Sequence, residues 1–343
     1  MVSLLGLVKR RGQIAFDEPV THHSRMLIPS LSLTAHLRRL PLVSVATVAL
    51  LVSTSVAADG AGAAATAAAG AAAGQGQAPE GGVPCARDFP TIALTAQGAT
   101  RTLAKPPRYT QGLVVHGARL YEGAGMYGHS GVFVSALDGT EPTRLTTLDD
   151  KVFGEGLAIV GDKAYQLTWR AQHAYVYDVQ PDGTLSESES SPRRYDGEGW
   201  GLATYDGQLL LSDGTSTLRL IDPDDFSVSR EIPVRAGTRR VNGLNELEVI
   251  GDTVLANLYG PPAIVVIDIP TGCVVKVFDG SALARAVKPS LPKAGTAICG
   301  SFGCTVGDYV LNGIAYDEQA DEVYVTGKNW PRIFVFENPL DRG

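Results

Sequence analysis

Five short phrases hold the side chains of this chain that could do chemistry. They are YTQGL at 109–113, FGEGL at 153–157, GEGWGL at 197–202, LNELE at 244–248 and VLNGIAYD at 310–317. At corresponding places they carry amides (Gln111, Asn245, Asn312), one carboxylate (Glu155) and one indole (Trp200). A carboxylate can take a proton and return it. Amides can hold a carbonyl or an amine, and an indole walls an apolar slot while donating one N–H. A glutamate beside glycine can also simply accept backbone N–H groups in a turn, so Glu155 is informative only in company. That company is asymmetric: one phrase has diverged into a carboxylate, an indole and amides, and the VTGK segment adds Lys328. An active site needs such a division of labour, whereas repeated scaffolding does not.

The elements that must position these groups follow from the spacing. The phrases recur about every 45 residues over the first four copies, and each precedes a β-rich segment (ARLYEGAG, DKAYQLTW, GQLLLSDG, DTVLANLY, DEVYVTGK). A period of roughly 40–50 residues with several strands per repeat is the mark of a β-propeller. The expectation is all-β, a five-bladed β-propeller whose phrases face one central mouth. Asp-Gly pairs at 138–139, 182–183 and 206–207 predict hairpin-type turns, and no long amphipathic helix is expected within 100–338. The last blade, from Asp308 to Glu337, offers only three strands. The segment FPTIALTA at 89–96 is therefore expected to supply the N-terminal strand closing that blade and hiding its edge. Residues 281–309, rich in Pro, Ala and Gly, read as a long surface loop.

Of the 343 residues, the first 58 read as an N-terminal extension and signal peptide, with Met26 an alternative start to Met1. A basic patch at 36–39 precedes the run LPLVSVATVALLVSTSVAA, and cleavage is expected near Ala57 or Ala58. The same run is just long enough to be an uncleaved membrane anchor. Residues 59–82 are an Ala/Gly-rich linker that cannot bury a core, and 83–343 form the propeller catalytic domain. Location is thus periplasmic or secreted, or membrane-anchored. With a net charge of −7 and no Lys/Arg stripe, nucleic acid is not an expected partner. Four cysteines in an exported chain suggest disulfides. CGSFGC pairs Cys299 with Cys304, leaving Cys85 for Cys273; free buried thiols are the alternative. No CxxC spacing or nearby histidine supports a metal site there.

Together YTQGL, LYEGAGMYGHS, FGEGL, YQLTW, GEGWGL, SDGTSTLRLIDP, LNELE, LNGIAYD and VTGKNWP, in that order across 107–336, resemble the plant and bacterial glutaminyl-peptide cyclotransferase (glutamine cyclotransferase) family of five-bladed propellers. The resemblance implies an aminoacyltransferase that converts the N-terminal glutamine of peptides or proteins to pyroglutamate and releases ammonia. It implies Glu155 as the proton shuttle, with Lys328 and Asn245 beside it as catalytic groups. Gln111, Tyr109, Phe153, Trp169 and Trp200 then bind substrate, with indole N–H groups free to donate to the scissile amide. Trp330, in NWP, is expected to pack. No cofactor is required; a structural calcium in the central channel is compatible, and a monomer is expected.

The chain departs from the family pattern after LNELE, where Tyr259 stands for a tryptophan and Gly260-Pro261-Pro262 for a Ser/Thr-Asp pair. AKPPR replaces the His-Asp-Pro run before TQGL. Tyr259 can still line the pocket, while the rim is expected to differ. Two other classes compete. One is a metal-dependent propeller lactonase or hydrolase using Glu155, Asn245, Glu246 and Asn312 as oxygen ligands. The other is a non-catalytic peptide-binding propeller.

Overall fold

The computed structural model describes residues 84–291 and 306–340. Among them the strands form five sheets. The first holds Thr110–His116, Arg119–Ala124, Gly131–Ala136 and Thr143–Arg144, and the second begins with Gly154–Val160, Lys163–Thr168 and His173–Val179. The third holds Leu202–Tyr205, Gln208–Leu211, Thr217–Ile221 and Val228–Pro233. The fourth holds Leu244–Ile250, Thr253–Leu258, Ala263–Asp268 and Cys273–Asp279, and the last Leu311–Asp317, Glu322–Gly327 and Arg332–Glu337. Each innermost strand packs on the next, and Leu311–Asp317 packs back on Thr110–His116. This is an all-β, propeller-like arrangement. Valine, leucine and isoleucine alternating along the strands make the cores between sheets, such as the cluster of Leu210, Leu218, Val254, Val265 and Val277. The Asp-Gly turns form as expected; Asp206 and Gly207 both take positive φ (49° and 73°), the type I′ geometry that matches strand twist.

Closure differs from the sequence expectation in one respect. The strand expected to complete the last sheet, Thr91–Ala93 within 89–96, instead lies parallel to Cys273–Asp279 in the fourth sheet. The Cys85–Cys273 disulfide anchors it there. The last sheet is closed by Arg101–Ala104, antiparallel to Arg332–Glu337. An N-terminal strand does close the ring, but it is the next one along. RTLA conceals itself because only Leu103 faces the core, so alternation has a single apolar residue to register.

The insertion at 281–309 is also more than a surface loop. Ser281–Val287 forms a short helix that buries Leu283 and Val287, each worth roughly 1.5–3 kcal/mol if fully buried. The chain returns through a 3₁₀ turn, Val306–Tyr309. The N-terminal 83 residues, with the expected signal or anchor and linker, lie outside the described residues, as does the Cys299–Cys304 pair. Among the described residues no helix is long and apolar enough to cross a membrane.

Ring closure carries a buried ionic cluster. Glu122 accepts from Lys105 Nζ at 2.7 Å, Arg108 Nη1 at 2.5 Å and Thr110 Oγ1 at 2.7 Å. Arg108 also lies over the Phe133 ring, 4.2 Å from its centroid. This cluster fixes the segment that leads from the closing strand into the first phrase.

Candidate active site

In four sheets the innermost strand breaks register where the repeated phrase begins. The shifts fall between Thr110 and Gly112, Gly154 and Leu157, Leu244 and Leu247, and Leu311 and Ile314. Gln111, Glu155, Asn245 and Asn312 sit at these breaks. A bulge releases a side chain from the strand's two-residue alternation and re-aims it, which is why the phrase, rather than the strand after it, carries the polar groups. Glycines let the innermost strands meet. A Cβ on Gly156 would lie 2.5 Å from Leu202 N, and one on Gly201 would lie 2.0 Å from the Asn245 carbonyl oxygen. Gly156 N–H donates to the Trp200 carbonyl at 2.8 Å, and Ser212 Oγ donates to the Asn245 carbonyl at 2.7 Å. In LNELE the glycine's place is taken by Glu246. Its carboxylate accepts the N–H of Leu113 at 3.2 Å and of Ile314 at 2.7 Å, tying the fourth sheet to the first and last.

Glu155 is buried, 5 % exposed. Burial pushes its carboxyl well above the usual range; the Lys328 charge opposes this and the Glu198 charge adds to it. Lys328, 3 % exposed, is pushed down to about 8 by burial, against the pull of Glu155 and Asp308. Its Nζ lies 4.8 Å from the Tyr109 ring centroid and 5.5 Å from that of Tyr259. The Tyr109 hydroxyl is raised by burial first and by the nearby Asp308 carboxylate second. A carboxyl raised by burial beside an amine lowered to about 8 is suited to proton transfer.

Aromatic rings wall this site. Phe153 meets Tyr109, Tyr127 and Trp169 edge-on, with centroids 5.8, 5.3 and 5.8 Å away. Trp200 meets Tyr259 at 5.5 Å. Tyr259 and Tyr127 are half-exposed at the rim, 47 % and 49 %. One expectation is corrected here: neither pocket indole has a free N–H. Trp169 Nε1 donates to Glu198 Oε2 at 2.7 Å and Trp200 Nε1 to the same oxygen at 3.0 Å. An anionic oxygen is a stronger acceptor than an amide carbonyl, so the indoles present faces to the pocket, not donors. Trp330 is fully buried and donates to the Tyr309 carbonyl at 2.9 Å, a packing residue as expected.

The amides divide. Gln111 is buried beside Phe153: a Cβ on Gly125 would meet Phe153 Cε1 at 2.5 Å and Gln111 Cγ at 2.9 Å. Its Oε1 accepts from Asn312 Nδ2 at 3.1 Å, and Asn312 also donates to the Thr110 carbonyl at 2.9 Å. Asn245 is buried at the Trp200 junction, linked there through its carbonyl. Of the four residues weighed as a calcium cage, one is committed elsewhere. Glu246 already accepts two backbone N–H groups, and among the described residues no three His, Cys, Asp or Glu side chains converge on a metal position. Asn312 Oδ1 is buried without a hydrogen-bond donor.

Glu198 and Asp308 were not singled out from sequence. Glu198 stood in plain view inside GEGWGL, two residues before Trp200. Asp308 lies at the end of the insertion, where composition offered no signal.

Comparison with known proteins agrees with this geometry. Residues 86–337 match the family model described as glutamine cyclotransferase. The chain is 35% identical over 232 residues, 67% of each protein, to glutaminyl-peptide cyclotransferase of Arabidopsis thaliana. Its fold is similar to the crystal structure of Myxococcus xanthus glutaminyl cyclase, with TM-score 0.60 and 31% identity, covering 72% of this chain and 97% of that one. With sheets, phrases and matched span in agreement, the chain belongs to the glutamine cyclotransferase family.

Proposed function

We propose that this glutaminyl-peptide cyclotransferase works as an aminoacyltransferase in which Glu155 shuttles the proton, within a ring read as a five-bladed propeller. The substrate's α-amine attacks the side-chain amide carbon of the same N-terminal glutamine, so a C–N bond forms. Glu155 takes the amine proton and delivers it to the amide nitrogen; the original C–N bond breaks and ammonia leaves. The nucleophile is already tethered, and holding it in the ring-closing rotamer can supply up to about 7–11 kcal/mol in the best intramolecular cases. Phe153, Trp169 and Trp200 hold that rotamer by shape. With both indole N–H groups engaged by Glu198, the developing oxyanion is assigned to Lys328 and Asn245, and the amide to Gln111.

The observation that carries this reading is Glu155 itself: buried, raised by that burial, and within the field of Lys328. No step is routed through a metal, and a chelator is expected to leave turnover unchanged. Partners are peptides or proteins with N-terminal glutamine, the enzyme acting as a monomer. The Cys85–Cys273 bond supports an exported, periplasmic or secreted location, with or without a retained anchor. The test is ammonia release from a Gln-initiated dipeptide. Wild type should turn over and Glu155→Gln should lose roughly 10²–10⁴-fold while remaining folded. Turnover by Glu155→Gln at the wild-type rate would overturn the assignment.

A further inference from the structure

Glu198 joins the side chains of two walls of the pocket whose backbones already meet at one hydrogen bond, Gly199 N–H to the Trp169 carbonyl. Trp169 follows the strand Lys163–Thr168 of the second sheet, and Trp200 enters the third sheet. Their backbones are anchored differently: Trp169 N–H donates to the Phe153 carbonyl at 2.9 Å and Trp200 N–H to the Ser212 carbonyl at 2.9 Å. Their ring edges meet at one atom, Glu198 Oε2, while the other oxygen receives Arg170 Nε at 2.9 Å. Arg170 in turn lies over Trp169, its guanidinium carbon 3.8 Å from the ring centroid. The Glu198 backbone is steadied by its neighbour, since Gly199 N–H donates to the Trp169 carbonyl at 3.1 Å. Glu198 and Arg170 are partly exposed, with side chains 35% and 63% accessible, so the assembly closes the mouth of the pocket and not its floor.

We propose that Glu198 is a positioning residue: a clamp that locks the two indoles into one wall and so fixes the glutamine side chain for attack. The proposal rests on the cyclotransferase reading for its substrate, but the clamp is a feature of the apoprotein. A single oxygen accepting two donors sets the angle between the rings, and Arg170 stops the carboxylate from swinging outward. Loosening either ring widens the slot. Reaction between two groups of one substrate depends steeply on that shape, and a displacement of about 1 Å can cost on the order of 10² in rate.

Two variants separate the clamp from general stability. Glu198→Ala removes the acceptor and should lower kcat/KM for a Gln-initiated dipeptide by about 10²-fold. Glu198→Gln keeps one carbonyl oxygen for both indoles and should recover activity to within about tenfold of wild type. In Glu198→Gln the loss of a negative charge near Glu155 should also move the acidic limb of the kcat/KM profile to lower pH, which a purely structural role would not do. Intrinsic tryptophan emission of the substrate-free protein should shift in Glu198→Ala and much less in Glu198→Gln. Wild-type kcat/KM in Glu198→Ala, or equal losses and equal emission shifts in both variants, would overturn the clamp. If wild type itself releases no ammonia, the cyclotransferase reading fails instead, and the emission comparison still decides the clamp.

Discussion

The Lys328 ammonium lies 4.8 Å from the centroid of the Tyr109 ring, a buried cation against a buried aromatic face. Burial brings Lys328 down to about 8 and drives Glu155 upward. The two shifts set opposite limbs of one profile. Glu155 must be ionised to accept the amine proton, so kcat/KM should climb through a pH above the ordinary carboxylate range. Lys328 must be protonated to steady the oxyanion, so the rate should fall again near pH 8. Lys328→Arg keeps its charge throughout this range and should erase the alkaline limb while lowering the maximum. Ammonia release measured across pH for both proteins decides it, and an unchanged alkaline limb in the variant would assign that limb elsewhere.

Glu122 should be the most costly single carboxylate to neutralise. It is buried and holds two buried cations, Lys105 and Arg108. Burial alone would raise its carboxyl, but the charges of Lys105 and Arg108 outweigh that and hold it below the usual range. A depressed folded-state value means stability that is present above the unfolded carboxylate range and lost as pH falls through the folded value. Glu122→Gln leaves both cations uncompensated and should cost about 3–5 kcal/mol. Denaturant unfolding at neutral pH measures this; the gap between wild type and variant should shrink in acid.

The Cys85–Cys273 bond closes a loop of 188 residues, which by chain entropy contributes up to about 5 kcal/mol. Replacing both cysteines by serine should lower the melting temperature and expose the arm. Limited proteolysis should then cut between Cys85 and Leu94 first, because Thr91–Ala93 loses its tether to the fourth sheet. Cutting first within 101–104 would contradict this, since that strand is held separately by the last sheet.

The repeat was legible because strand alternation and glycine-bearing phrases are written locally. What could not be read was any pairing chosen among equivalent partners. Thr91–Ala93 and Arg101–Ala104 are both short, and the first joins the fourth sheet beside the Cys85–Cys273 tether. The site divides the same way. Gln111, Glu155, Trp200 and Asn245 announce themselves by replacing one another in a repeated phrase. Glu198 does not, because its role is created by Trp169 of another sheet approaching its oxygen. Asp308 reaches Tyr109 and Lys328 only because the insertion folds back as a turn, and no local pattern encodes a return path.

Close approach at the inner strands gives the last prediction. Gly201 is not among the glycines of positive φ, yet a Cβ there would sit 2.0 Å from the Asn245 carbonyl oxygen, against backbone that cannot rotate away. Gly201→Ala must therefore push the third and fourth sheets apart, costing about 1–3 kcal/mol or more. Because Trp200 and Asn245 flank that contact, activity should fall together with stability. Gly251 is the opposite case: its φ is +59° in a turn, with nothing within 4 Å of an added Cβ. Gly251→Ala should cost about 1–2 kcal/mol through torsional strain alone and leave kcat/KM untouched. Measured side by side, the pair distinguishes a site deformed by crowding from a protein that is merely less stable. Equal kinetic effects from the two substitutions would show that the inner-strand contact does not set the pocket's geometry.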